Sequence, residues 1–552
     1  MKVNKYSIIA LLFLSIITNW ACANVNKKNV SGESKERIVA TTDSSDSKNV
    51  NKNFNPNESR SQDSDSQISK DQFYKNKEEE ITPEMFGAKG DGVLRKLSSK
   101  YTTIGAAQKD YPKAQDLDFS IDGAAFQKAV DYAAEKGGGI VTAAKKYAIN
   151  FPIETRSNVT IDGKGSGYIY NDRSRKKTIL QYAFFLGDHH GAGFTKDGKG
   201  SAHYKLYDVA GKIKAGQNFA RLSNNKEASE FSVGQLILLC TVGKKVAFNN
   251  ENVSLPFQIT MCKIVKIQNE QLFFEFPIDE DMDDPQIAAN GGFDSFAQIN
   301  LGGVENVTIR DLTVDARSWA IRWYGYKCTI ENINIINGSE IAVGNALVHS
   351  TIKNITGTFS RRCLEIKTGA LDLTIDGLKV SYKPGKEPVG KDPRSVISIG
   401  EYNRNIIIKN FEIDMGNLNL SEPVIGLRSR KATISDGKIY CKNQTAGVLR
   451  FYGDNTVKNA KFACYANKIS NLDFYCNAAV KNYVSLGSEQ SGETAPSDNI
   501  VENCNFYGGG NNTTVALLAG DNNTIRQCSF PKAKLVKKQS FAATNKIDAN
   551  KF

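Results

Sequence analysis

The chain runs to 552 residues, with 45 glycines, 24% charged side chains and a formal net charge of +12. A basic balance bears on partners rather than fold, and suits a polyanion: an acidic polysaccharide, nucleic acid or lipid headgroups. With Cys22 set aside, the ten cysteines leave an odd number, which argues against a full disulfide framework, and the four histidines, His189, His190, His203 and His349, lack zinc-ligand spacing.

Met1 to Lys5 is positively charged, Ile8 to Ile17 is an apolar run too short to span a bilayer comfortably, and Ala21-Cys22-Ala23 closes it with small residues. Residues 1–23 therefore read as an export signal. Exported proteins seldom meet nucleic acid, so an acidic polysaccharide leads among partners. The expected location is the periplasm, the outer membrane as a lipoprotein, or outside the cell. Cys22 is a candidate for lipidation and membrane attachment, while Ala21-x-Ala23 also suits ordinary cleavage after Ala23. Residues 24–80 are rich in Ser, Asn, Lys and Asp, and cannot bury enough surface to fold. A tether of this kind favours the lipid anchor.

Order begins near Ile81 with ITPEMFGAKGDGV (81–93). In 121–149, Ala125, Phe126, Ala129, Val130 and Ala133 share one helical face, and Gly137-Gly138-Gly139 ends the helix. NVTIDGKG (158–165) reads as a first strand turn, completing a segment from 81 to 187. The stretch 94–120 reads as a loop over one flank. From 188 to 300 the pattern changes to hairpins, at 219–241 and 261–282, expected to pack on the side of the molecule.

From 301 to 552 one unit keeps returning: VTIRDLTVDA (307–316), CTIENINIIN (328–337), STIKNITGTF (350–359), LTIDGLKVSY (373–382), IIIKNFEIDM (406–415), ATISDGKIYC (432–441), NTVKNAKFAC (455–464), NIVENCNFYG (499–508) and NTIRQCSFPK (523–532). Apolar residues alternate, then a turn of Asn, Asp or Gly follows, which is strand periodicity. One unit cannot bury its apolar face alone; stacked coils can. The expected fold is all-β, a solenoid of parallel strands, with Cys504 and Cys528 stacked in its interior.

The entry segment, the capping helix and the coil period together resemble the pectin-lyase-like superfamily of right-handed parallel β-helix proteins. The resemblance spans about 81–552 and implies a right-handed coil with an N-terminal capping helix and a β-rich insertion. It departs after Gly92, where the family's acidic run into the helix is replaced by 94–120. Members include polysaccharide lyases, glycoside hydrolases and non-catalytic binding proteins, so the fold does not choose an activity.

A second short strand follows each main unit: AIRWYG (320–325), EIAVGN (340–345), CLEIKTG (363–369), VISIGEY (396–402), VIGLRSR (424–430) and VLRFYGD (448–454) among them. Alternation places Ile321, Ile341, Leu364, Ile397, Ile425 and Leu449 inward. It places Arg322, Ala342, Glu365, Ser398, Gly426 and Arg450 outward, then Tyr324, Gly344, Lys367, Gly400, Arg428 and Tyr452. Cations and tyrosines around small residues suit an anionic chain, since arginines grip carboxylates or sulfates bidentately. Arg361, Arg362 and the loop 383–394, with Arg394, add cations at the flank.

In a polysaccharide lyase, β-elimination at a uronic acid needs the carboxylate neutralised before the C5 proton leaves. Lys367 is the candidate base, Arg428 or Arg322 the neutralising cation, and Tyr324, Tyr452 or His349 the proton donor to the leaving oxygen. Glu365 is placed to orient Lys367 or to help hold Ca²⁺; no metal set is legible, and the expected enzyme needs no cofactor or at most Ca²⁺. Arg322, Arg361, Arg362, Arg394, Arg450 and Tyr452 are the candidate substrate contacts. Candidate polymers are pectate, alginate and glycosaminoglycans such as chondroitin or dermatan sulfate, handled by a monomer. Hydrolysis through a pair drawn from Glu365, Glu401 and Asp414, and glycan binding without cleavage, are the alternatives.

Overall fold

The computed structural model describes residues 80–552 apart from 173–181, 187–205, 249–250, 289–291, 294–298, 301–302, 318, 385–394, 401, 444, 454–463, 477–479, 488–494, 511 and 538–543. The signal, Cys22 and the tether up to Glu79 lie outside the described residues, as do Arg394, Glu401 and nearly all of the unit at 455–464.

Ile81 bridges Val141 in parallel. The capping helix spans Ile121–Glu135, and its N-cap Ser120 accepts a hydrogen bond from the Gly123 amide, which meets one of the helix's orphan donors. Ala125, Phe126, Ala129, Val130 and Ala133, the face read from the sequence, have no exposed surface. The stretch 94–120 is not a flank loop. It forms a short turn at Leu97–Ser99 and a helix at Ile104–Asp110. Its Leu97, Ala107, Tyr111, Ala114 and Phe119 join the main core, and Phe119 stacks on Phe151 with ring centroids 4.0 Å apart. Apolar residues too sparse to announce a period are recruited here to close the end of the solenoid.

Beyond the cap, a ladder of parallel strands carries one inward column: Val141, Ile161, Ile309, Ile330, Ile352, Ile375, Ile408, Ile434, Ile469, Val501 and Ile525. None is more than 2% exposed, and each full burial contributes about 1.5–3 kcal/mol. The rung after Thr433–Cys441 is Lys468–Cys476, with Ile469 against Ile434 and Cys476 against Cys441, not the expected 455–464. Ile161 pairs directly with Ile309, so the intervening insertion leaves the ladder unbroken. Cys504 and Cys528 are buried in the core as expected, and all nine described cysteines are free.

Two corners repeat with the coil. Two residues after the column, Asp311, Asn332, Asn354, Asn410, Asp436, Asn471 and Asn503 hold φ between 52° and 57°, and Gly377 takes φ 80° at the same place. Asn and Asp tolerate this left-handed region because their short polar side chains bond locally. Here they bond from coil to coil: Asn332 Nδ2 donates to Asp311 Oδ1 at 2.9 Å and Asn354 Nδ2 to Asn332 Oδ1 at 3.0 Å. A second, buried asparagine ladder lines the other corner. Asn467 Nδ2 donates to Asn499 Oδ1 at 2.9 Å, Asn499 to Asn523 at 2.9 Å, and Asn523 to Asn545 at 3.0 Å.

The insertion builds a six-stranded antiparallel sheet between Leu206 and Ala288 with its own core, including Tyr207, Leu239, Ile264 and Phe274. It is pinned to the solenoid corner by charge. Arg404, 3% exposed, donates to both oxygens of Asp279 at 2.8 Å and to the Ile259 carbonyl at 3.0 Å. Arg430 reaches Glu280 at 2.8 Å. Tyr326 donates to Glu275 at 3.0 Å, and Lys327 pairs with the same carboxylate.

Candidate functional site

The second strands stack into their own ladder, and its register fixes which residues share a column. One column runs Arg322, Val343, Glu365, Ser398, Gly426, Arg450 and Ser485. Val343 stands where Ala342 was expected. Ala342 instead lines up with Ile321 and Leu364, because the strand of Glu340 slips by irregular pairings at Gly338 and Glu340. Ile341 is buried all the same.

The next column is held by the backbone. The Gly400 amide donates to Ile366 O at 2.7 Å, the Arg428 amide to Ile399 O at 2.9 Å, the Tyr452 amide to Leu427 O at 2.9 Å and the Gly487 amide to Phe451 O at 2.9 Å. Lys367, Gly400, Arg428 and Tyr452 thus occupy one position in successive coils. Lys367 and Arg428 stand two strand spacings apart, roughly 9–10 Å, with only glycine between them. Of the Lys367 and Arg322 side chains the described structure says nothing.

Tyr324 does not belong to this face. It is 2% exposed, against the expected outward position. Trp323 pairs with Gly344 but Gly325 with Leu347, so the regular alternation ends at Trp323, just before Tyr324. His349 is a corner residue, with φ 50°. Its Nδ1 lies 3.0 Å from Asp372 Oδ2, and its ring packs against Phe276 at 4.2 Å and Tyr326 at 5.5 Å. The histidine beside Asp372 lowers that carboxyl's pKa despite its partial burial. His349 therefore sits under the insertion, and the structure does not bring it to the column of Arg428 and Tyr452.

On the face itself, Tyr452 lies back over Gly426. A Cβ on Gly426 would stand 3.1 Å from the ring's Cε2 and 3.3 Å from Ser395 Oγ, so glycine here makes room for the ring. The guanidinium carbons of Arg428 and Arg450 lie 4.5 and 4.3 Å from the ring centroid, within cation–π range. Burial raises the Tyr452 pKa, and Arg450 and Arg428 work against that rise, so the hydroxyl stays protonated at neutral pH. Arg428 is exposed and Arg450 half-buried.

Below the face runs a charged layer. Arg362, 4% exposed, pairs with Glu365. Burial opposes its charge, but Glu365 and Glu340 outweigh it and raise its pKa. Arg361 donates to the fully buried Glu340 at 2.9 Å. These two arginines, expected to contact substrate, are engaged by carboxylates of the protein. Ser395 donates to Glu422 Oε2 from its amide at 3.1 Å and its hydroxyl at 3.2 Å. Glu340, Ser395 and Glu422 went unread in the sequence. Glu422 carries a usable signal: it precedes inward Ile425 by three residues, as Arg361 precedes Leu364. Among the alternative carboxylates, Asp414 is on the first ladder, in register with Ser381 and Tyr440, and so does not share a strand column with Glu365. Among the described residues no cluster of three metal-ligating side chains occurs.

The chain is a right-handed parallel β-helix. No family model matches it. Among solved structures it is similar to the tailspike gp61 of Pseudomonas phage phi297, at 14% identity over 85% of this chain and 80% of that one, with a TM-score of 0.47. It is also similar to PfbA, a surface adhesin of Streptococcus pneumoniae, at 12% identity over 86% and 93% of the two chains, TM-score 0.35. A third similarity is to the A-module of the Azotobacter vinelandii mannuronan C-5 epimerase AlgE6, at 12% identity over 85% and 99%, TM-score 0.33.

Proposed function

We propose that this protein binds an acidic, uronate-containing polysaccharide across the second-strand face and cleaves it by β-elimination. The observation that carries the reading is the column Lys367–Gly400–Arg428–Tyr452, with two guanidiniums gathered on one tyrosine ring beside a glycine gap. A gap of roughly two strand spacings admits a sugar ring against the backbone. Arg428 and Arg450 meet the uronate carboxylate and take up the charge that develops there when the C5 proton leaves. Lys367, at the head of the column, is the base. Tyr452 is the proton donor to the C4 oxygen, because its burial keeps the hydroxyl neutral and able to give a proton. Of the other two groups considered for that step, Tyr324 is buried and His349 packs against Phe276 of the insertion. Glu365 acts through Arg362, holding the floor of the face in place. Export, a lipid anchor at Cys22 and a periplasmic or surface location complete the proposal.

The test is ultraviolet absorbance of the unsaturated uronate during incubation with pectate, alginate, hyaluronan, chondroitin sulfates, dermatan sulfate and heparin, each with Ca²⁺ and with chelator. Rising absorbance with one polymer supports elimination and names the substrate. New reducing ends without absorbance would replace it by hydrolysis, and retention on an immobilised polymer with neither signal would leave a binding protein.

A further inference from the structure

The nine described cysteines are all thiols, and two of them share more than a place in the core. Cys441 and Cys476 are register partners on adjacent coils, each the last residue of its strand, Thr433–Cys441 and Lys468–Cys476. Each is 3% exposed. Their thiols turn to one acceptor: Cys441 Sγ lies 2.9 Å and Cys476 Sγ 3.7 Å from the Asn443 carbonyl oxygen. The Cys476 thiol beside it, and then burial, push the Cys441 pKa above its ordinary value. Cys504 and Cys528, also on adjacent coils, share no acceptor: Cys504 Sγ donates to Glu502 O at 3.2 Å and Cys528 Sγ to Arg526 O at 3.2 Å. Register partners on parallel strands stand one strand spacing apart, about 4.7–4.9 Å, inside the roughly 4.4–6.8 Å between Cα atoms that a disulfide spans. A link also needs the Cβ atoms drawn a little closer than that spacing. Regular pairing between these two strands stops at Cys441 and Cys476, which leaves the chain free to tilt there.

We propose that Cys441 and Cys476 are the site of a disulfide that forms while the chain folds in an oxidising compartment. The proposal rests on the export proposed above, not on the reaction. Disulfides form and persist outside the cytosol, where thiols are otherwise kept reduced. The thiolate of one cysteine attacks the disulfide of an exchange partner, a protein or low-molecular-weight disulfide, and one partner thiol leaves. The second cysteine attacks the mixed disulfide, and the other partner thiol leaves. The two thiol protons of the pair end on the departing partner thiols, so the partner is reduced as the pair is oxidised. Burial and a raised pKa make the folded thiols slow to attack, so the link is made before the coil closes. The loop it closes carries Thr445–Phe451, the strand of Arg450, and ties that part of the face to the next coil.

Refolding tests the site without a cell. The full chain, unfolded and reduced, is refolded in a glutathione redox buffer; remaining thiols in the soluble folded fraction are alkylated, and an unreduced digest is read by mass spectrometry. The expected product is a peptide of Cys441 joined to one of Cys476, two hydrogens lighter than the separate pair. Alkylated thiols at both positions, or Cys441 joined to another cysteine, overturn the proposal. Denaturant unfolding is the second measurement. Reduction should raise the unfolding constant of the linked protein about 30- to 700-fold, the range a native disulfide supplies. Cys441→Ser together with Cys476→Ser should abolish that response, and an equal response in wild type and the double variant also overturns the link. The same digest of protein alkylated as it is taken from the cell separates this from export: a link on refolding, with free thiols in the cell, would remove the export reading and leave the site standing.

Discussion

Arg404→Ala should release the insertion from the corner it is pinned to. The guanidinium makes two 2.8 Å bonds to Asp279 and one 3.0 Å bond to the Ile259 carbonyl, at 3% exposure. Removing it leaves a mostly buried carboxylate without its principal partner and a carbonyl without its donor. Breaking a buried pair from one side costs about 3–5 kcal/mol, well above the roughly 0–1 kcal/mol of an exposed pair such as Lys212–Asp283. At 1.4 kcal/mol per tenfold, the open population of the insertion rises by roughly two to three and a half orders of magnitude. Because the insertion has its own core and the ladder passes beneath it unbroken, the loss should be local. Native-state hydrogen exchange read by mass spectrometry is the assay. Protection should fall across 259–282 and at the corner amides of Arg404 and Arg430, and stay unchanged in the strands around Ile352 and Ile375. The paired change Arg404→Met with Asp279→Leu should recover most of the loss, since no charge is then stranded. A loss under about 1 kcal/mol, or one spread evenly over the coils, would refute the reasoning.

Further expectations follow from the same geometry. Arg404 holds the Asp279 carboxyl below its ordinary range in spite of burial. A depressed carboxylate contributes stability above its unfolded pKa that is lost as pH falls through the folded one, so acid should loosen the insertion before the ladder melts, visible by hydrogen exchange at stepped pH. Ile375→Ala, at 1% exposure, should cost about 2–5 kcal/mol in denaturant unfolding. Ile407→Ala, on the same sheet at 39% exposure, should cost under about 0.5 kcal/mol. Asn499→Ala removes a buried donor and acceptor shared with Asn467 and Asn523, and should cost about 1–3 kcal/mol, with protection lost in the coils on both sides. Arg428→Ala should lower turnover about 100-fold or more with an unchanged melting curve, comparable to loss of a donor to developing charge; wild-type rates in both Arg428→Ala and Lys367→Ala would move the site elsewhere.

The ladder was legible because burial on a strand face demands an apolar residue at every coil, and Ile309, Ile330, Ile352 and Ile375 supply it without exception. Register between neighbouring coils was legible only where one apolar residue stands out. In EIAVGN both Ile341 and Ala342 fit the inward place, and the choice was settled by irregular pairings at Gly338 and Glu340. The same cause hid the rung at 468–476, since 455–464 offers a competing unit. His349 could not be read as a corner residue because its neighbour Phe276 lies far away in the chain, and Tyr324 because the strand's pairing turns irregular between Trp323 and Gly325. Alternation describes a strand and its own neighbours, and says nothing of a separate sheet laid over the corner. Arg361 and Arg362 announced positive charge, but their carboxylate partners, Glu340 and Glu365, lie in positions that local pattern does not connect to them.

The buried asparagine ladder has a direction. From Asn467 to Asn523, each amide nitrogen donates to the side-chain oxygen of the next asparagine toward the C-terminus, and all four, Asn545 included, also donate back to a backbone carbonyl of an earlier coil. The joint between coils is therefore the same at both ends of every interior unit. A segment bearing one such asparagine could be duplicated or deleted without remaking its neighbours, so the length of this molecule is open to change in whole coils while its face chemistry stays in register.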